Sequence, residues 1–249
     1  MILSIENLYK HFNGIAALDN FSCGIGEGEI VGLIGPNGAG KTTLFNVITG
    51  FLKADSGQAR LAGRQVLGRP PSSIYRMGMV RTFQNLRLIR QMSVLDNVRL
   101  AFAIQKGESL FHLFSRPKSI SAQEKANTEK AMALLKEAGI QGKAPDPAGT
   151  LSYGQQKLLS LVCCLASDPE VLLLDEPVAG INPAMIEKII QIITGLPDKG
   201  KTVLLIEHNI DMVMSVCDRV IFMDMGRKIS EGKPEAVRKD PEVIEAYLD

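Results

Sequence analysis

The run Gly35-Pro36-Asn37-Gly38-Ala39-Gly40-Lys41-Thr42-Thr43 reads G-x-x-x-x-G-K-T, a spacing suited to phosphate chemistry. In such a loop successive backbone N–H groups converge on one anion at the start of a helix. Gly35, Gly38 and Gly40 give the backbone the freedom to wrap the anion closely, unhindered by a Cβ. Lys41 is placed to reach the β- and γ-phosphates of a nucleotide, and the Thr42 hydroxyl to ligate Mg²⁺. Two carboxylates, Asp175 and Glu176, close the apolar run that starts at Val171. Acids at the C-terminal end of a buried parallel strand face the ligand crevice. One of them suits Mg²⁺ held through water, and the other suits orientation of an attacking water. His208 stands at the end of a further apolar run from Thr202, where contact with a γ-phosphate is open to it. Together these residues imply binding of a nucleoside triphosphate.

The elements around them agree. Glu29–Ile34 is an apolar run of strand length before the loop, and Thr42–Thr49 reads as a helix that stops at Gly50. Ile2–Leu8 and Ala17–Ile25 are strand-like, and residues 57–66 form a hairpin pattern, so residues up to about 70 give a small antiparallel layer. Phe12 lies between those strands. Met79–Gln84 is a short strand ending in Gln84, after which residues 86–142 turn helical in pattern. Val94–Ala103 is one expected helix; Ser121 and Glu124 form a capping box that opens a second, running to Ala138. Between them, residues 106–120 hold an apolar knot, Leu110–Phe114, that is either a tucked loop or a partner contact. Ser152 caps a helix reaching about Ala166, and Asn182-Pro183 opens another ending near Gly195. Val220–Met225 is a strand, and Pro234–Leu248 is helical.

Composition narrows the classes. With 249 residues, 45% of them apolar, the chain has room for an α/β core with an inserted subdomain. A net charge of +1 does not suggest a surface that coats nucleic-acid phosphates. The four cysteines lack metal-like spacing and are expected as free buried thiols. The N-terminus does not read as a signal peptide. No apolar run approaches the roughly 18–20 residues of a spanning helix, so work at a membrane would need spans from other chains.

As an ordered set, these motifs resemble the ATP-binding subunit of ABC transporters over nearly the whole chain. Gly35–Thr43 resembles the Walker A loop, Leu172–Glu176 the Walker B strand, Gln84 the Q-loop, Leu151–Gln155 the family signature, residues 179–182 the D-loop and His208 the switch histidine. Tyr153 replaces the usual first Gly of Leu-Ser-Gly-Gly-Gln, and Asn182 replaces the more usual Asp. The segments Val80–Asn85, the extra stretch around Phe111, Ser152–Gln156, Ile206–Asn209 and the tail at 240–244 are similar to the longer ATPase of branched-chain amino-acid importers; urea and amide importers share much of this pattern.

The resemblance implies an α/β P-loop NTPase (RecA-like) fold: a parallel sheet, a small antiparallel layer and an inserted helical subdomain. In residues, it implies one domain over 1–249, with core at about 1–85 and 160–249 and the helical subdomain at about 86–159. It implies ATP and Mg²⁺ as ligands, with Phe12 stacking on adenine and residues 35–43 (Pro36, Asn37, Ala39 and Thr43 included) around the phosphates. Thr42, Gln84 and Asp175 would hold the metal. Lys41, Gln84, Glu176 and His208 would carry catalysis, and Ser152, Gly154 and Gln155 would reach the nucleotide of a second ATPase subunit. The implied partners are that subunit (self or paralogue) in a head-to-tail sandwich, two polytopic permeases and, indirectly, an extracytoplasmic solute-binding protein, but no nucleic acid. The implied place is cytoplasmic, peripheral on the inner membrane face. Two other classes stay open: an ABC-type ATPase acting on nucleic acid or ribosomes, and a small-molecule kinase.

Overall fold

The structure, a computed structural model, describes residues 1–84, 86–102 and 117–248. The apolar knot at Leu110–Phe114 lies outside the described residues.

The chain divides into two compact units: residues 1–84, 170–179 and 190–249, and residues 85–169 and 180–189. The first unit holds both sheets. Strands β1 (Leu3–Phe12), β2 (Ile15–Ile25), β4 (Ser56–Leu61) and β5 (Arg64–Gln65) form an antiparallel sheet in the order β2-β1-β4-β5. Strands β3 (Ile30–Ile34), β6 (Met79–Arg81), β7 (Val171–Asp175), β8 (Thr202–Ile206), β9 (Arg219–Asp224) and β10 (Arg227–Gly232) form the other, ordered β10-β9-β3-β8-β7-β6. Its neighbours from β9 to β6 pair in parallel, and β3, β7 and β8 are buried along their whole length, as their unbroken apolar runs require.

β10 was not anticipated from sequence, and it pairs antiparallel with β9. The cause is local: Met225 and Gly226 both adopt positive φ (42° and 80°), which closes a two-residue hairpin with the twist the strands need. Asn13-Gly14 and Ala62-Gly63 close β1–β2 and β4–β5 in the same way. Buried residues of both sheets and of helix Lys41–Ile48, among them Phe21, Phe45, Leu33 and Leu173, make one continuous core.

In the second unit, helices Val94–Leu100, Pro117–Glu137 and Tyr153–Ala166 pack on one another. The long helix starts at Pro117, so Ser121 is an interior residue and not the expected cap; proline is favoured at the first helical position, where its missing N–H costs nothing. Helix Val94–Leu100 is shorter than expected, capped by Ser93. The unit also runs past the expected end at residue 159, because the helix from Tyr153 continues unbroken to Ala166. Strand β6 stops at Arg81, short of Gln84.

Candidate functional site

The phosphate loop begins where β3 ends. Gly35 (φ 148°) and Gly40 (φ 103°) have no room for a side chain: a Cβ would lie 1.9 Å from the Met223 carbonyl oxygen at the first and 2.2 Å from that of Ala17 at the second. Both positions therefore need glycine for close approach as well as for conformation. Gly40 caps helix Lys41–Ile48 without any side-chain hydrogen bond. Among the described residues, no acceptor takes the amide N–H groups of Gly38, Gly40, Lys41 and Thr42. Four such donors around a helix start are a ready anion site. Lys41 is buried, and its Nζ donates to the loop's own carbonyls, Gly35 O at 2.7 Å and Pro36 O at 2.8 Å. Burial lowers the pKa of its ammonium, while Glu176 and Asp175 pull the other way. A phosphate oxygen would replace neutral acceptors with an anionic one. Thr42 and Asn37 are exposed; Thr43 and Pro36 are half-buried, and Ala39 is buried.

The acidic pair separates into two environments. Asp175 closes β7; its amide donates to Thr82 Oγ1 at 3.0 Å, and its Oδ2 accepts from Arg81 Nη2 at 2.6 Å. Glu176 turns away through a left-handed backbone (φ 48°), with its amide bonded to Ile206 O at 2.9 Å. That turn carries its carboxylate to two other predicted residues. Gln84 Nε2 donates to Oε2 at 3.2 Å, and His208 Nε2 lies 3.0 Å from Oε1. Gln84, Glu176 and His208 thus meet at the C-terminal ends of β6, β7 and β8, the edge at which such sheets bind ligands.

Buried Glu207 laces the same loops, accepting the Val178 amide at 3.0 Å. Phe12 ends β1 with 43% of its surface exposed and Lys10 Nζ 5.2 Å from its ring centroid.

Ser152, Gly154 and Gln155 belong to the second unit. Ser152 Oγ accepts the Gln155 amide at 3.3 Å, and Gln155 Oε1 accepts the Ser152 amide at 3.0 Å, a full capping box. Gly154 is held to glycine size by Met185, whose Cγ would be 3.0 Å from an added Cβ. Tyr153 projects half-exposed, with Lys157 Nζ 5.5 Å from its ring centroid. Asn182 caps the next helix, its Oδ1 accepting the Met185 amide at 3.0 Å.

Sequence reasoning missed Arg81, Asn46, Thr82 and Glu207. A charge in the strand Met-Val-Arg, and another directly after Leu-Leu-Ile, were the signals present: each sits where burial is expected and so needs a partner.

A family model described as "ABC transporter" matches residues 18–179, and one described as "Branched-chain amino acid ATP-binding cassette transporter" matches residues 227–248. Over 249 residues the chain is 41% identical to the high-affinity branched-chain amino acid transport ATP-binding protein LivG of Salmonella typhimurium, covering 99% of this chain and 97% of that protein. It is 39% identical, with the same coverage, to the corresponding protein BraF of Pseudomonas aeruginosa. Its fold is similar to the crystal structure of a nucleotide-free ATP-binding cassette from an ABC transporter, with a TM-score of 0.86, 36% identity and coverage of 100% and 99%. An ATP-binding cassette in its ADP conformation gives a TM-score of 0.84 at 35% identity, covering 99% of this chain and 98% of that one. The phosphate loop, the paired acids and this full-length likeness lead to one conclusion: the chain belongs to the nucleotide-binding ATPases of the ABC transporter family, in its branched-chain amino-acid branch.

Proposed function

We propose that this chain hydrolyses ATP to drive import of branched-chain amino acids through separate membrane permeases, working peripherally on the cytoplasmic face. The observation that carries the catalytic reading is the Glu176 carboxylate held between Gln84 and His208. A carboxylate fixed by two neighbours can orient and polarise an attacking water, which is most of what phosphoryl transfer asks of a protein. Lys41 and the loop amides neutralise the β- and γ-phosphates; His208 contacts the γ-phosphate and holds the closed arrangement. Phe12 offers an open ring for stacking on adenine.

Thr42, Gln84 and Asp175 bring a hydroxyl, an amide carbonyl and a carboxylate, hard oxygen donors that fit Mg²⁺. Among the described residues no group of three or more His, Cys, Asp or Glu side chains could hold a metal ion. A sparse donor set suits an ion that keeps several waters and binds substrate phosphates as well. Mg²⁺ held there would supply charge neutralisation at the phosphate oxygens.

The amino-acid assignment draws support from the match at residues 227–248 and from the names of the relatives. Among the described residues no helix is long and apolar enough to cross a membrane, in keeping with spans supplied by permeases.

Replacing Glu176 with Gln tests the mechanism. ATP binding is expected to persist while hydrolysis falls on the order of a hundredfold or more. Hydrolysis at the parent rate overturns the role given to Glu176. In cells, the same substitution is expected to abolish uptake of radiolabelled leucine; loss of urea uptake instead would move the substrate assignment.

A further inference from the structure

Arg81 lies within the Val80–Asn85 segment but has no role among the site residues, yet its guanidinium occupies a junction of three elements that build the site. Nη2 donates to Asp175 Oδ2 and Nη1 to Asn46 Oδ1, both at 2.6 Å. Asn46 and Phe45 lie on the helix that follows the phosphate loop, and Asp175 ends β7. Arg81 itself ends β6, three residues before Gln84. The Phe45 and Phe83 ring centroids lie 5.2 and 5.1 Å from the guanidinium carbon, and Phe83 meets Phe51 edge-on at 5.4 Å. The Arg81 and Asp175 side chains are only 4% and 5% exposed.

These contacts do more than balance a charge. A carboxylate alone can rotate about its χ2, so its oxygens have no fixed bearing. Here Arg81 holds Oδ2 while Thr82, the next residue of the chain, holds the backbone amide of Asp175. Among the described residues nothing donates to Oδ1. The guanidinium is fixed in turn by Asn46 and the two rings. A planar fork can make both side-chain bonds and stack; an ammonium of equal charge cannot.

We propose that Arg81 is a positioning residue for Asp175, holding its carboxylate so that Oδ1 remains for the water shell of Mg²⁺. This rests on the metal role given to Asp175 above. The same guanidinium, through Phe83, ties that carboxylate to the chain entering Gln84.

The test reads metal dependence of nucleotide binding, which needs no turnover. Binding of methylanthraniloyl-ATP is followed by fluorescence in EDTA and across a Mg²⁺ titration, in the parent protein, Arg81→Lys, Asn46→Ala and Asp175→Asn. Arg81→Lys keeps the charge and loses the fork. Its metal-free affinity is expected to stay near the parent's, while half-saturation by Mg²⁺ rises about tenfold, as for other groups that orient a metal ligand. Asn46→Ala leaves the ion pair but frees Nη1, and half-saturation is expected to rise about threefold or more. If Arg81→Lys titrates like the parent, Arg81 is a countercharge only and the inference fails. Should that variant not fold, Asn46→Ala decides: a rise supports positioning and an unchanged titration overturns it. A parent whose binding ignores Mg²⁺, or ignores Asp175→Asn, overturns the metal role of Asp175 and the inference with it. Metal dependence that follows Asp175 but neither Arg81 nor Asn46 overturns the inference alone.

Discussion

Burial decides what each ionisable residue can do. Asp175 is enclosed and has a guanidinium partner, whereas Glu176, one residue later, is turned out by its positive φ to meet Gln84 and His208. Adjacent carboxylates are thereby set in different environments, which suit the two tasks proposed above, one at the metal and one at water. The thiols show burial without a task. Burial pushes the pKa of Cys23 and of Cys217 up to about 12. The unfolded chain releases these protons near the ordinary value of 9.0, whereas the folded chain keeps them. Their contribution is therefore complete below about pH 9 and is lost as pH rises towards 12. The unfolding free energy from urea titration is expected to fall between pH 8 and 10.5, by on the order of 1–2 kcal/mol per thiol. Replacing both cysteines with alanine should remove about half of that decline, since burial raises the pKa of Cys163 and Cys164 as well; an equal decline in the double variant would place its origin elsewhere.

At the scale of elements, two helix starts carry the proposed nucleotide contacts. Helix Lys41–Ile48 has no side-chain cap, and its amides stay available for an anion. Helix Tyr153–Ala166 solves the same problem internally, with Ser152 and Gln155 bonded to each other's amides. This difference makes Ser152 a stability residue in the isolated chain, whatever it contacts in a complex. Ser152→Ala is expected to cost about 1 kcal/mol and to lower the melting temperature by about 2–4 °C. Calorimetry checks this, and an unchanged melting temperature would show that the cap contributes nothing. The hairpin turns matter as well: Met225-Gly226 returns the chain so that the Gly226 amide reaches Ala39 O at 2.9 Å, bracing the phosphate loop from β9.

For the whole molecule, one chain holds two incomplete halves of the proposed chemistry. Lys41, Gln84, Asp175, Glu176 and His208 lie in the first unit, and Ser152, Gly154 and Gln155 in the second. A head-to-tail pair would set the Ser152 helix of one subunit against the nucleotide of the other, adding a helix N-terminus to the γ-phosphate. Glu176→Gln with ATP is therefore expected to accumulate as a dimer in size exclusion or light scattering. Adding Ser152→Arg should return it to monomer, since a long side chain displaces the helix start. The assay includes a mixture with a paralogous ATPase, in case that is the obligate partner. A stalled variant that stays monomeric with either partner would remove the trans role of Ser152.

The phosphate loop, the buried strands and the capped helices were legible in the residue order because each rests on local rules. Glycines sit where the backbone must bend, unbroken apolar runs where a parallel strand is covered on both faces, and Ser or Asn where a helix must start. The resemblance to ABC ATPases, carried by the order of the motifs, also grouped Gln84, Glu176 and His208 as one set. What local rules do not contain is which side chains meet across elements far apart in sequence. The Arg81–Asp175 pair spans 94 residues, and the Arg81–Asn46 bond joins two elements 35 apart. The antiparallel return of β10, the internal position of Ser121 and the split between Asp175 and Glu176 were likewise decided only when sheet and helices packed. Buried charges settle on the partners that packing brings within reach, and that choice exists only in three dimensions.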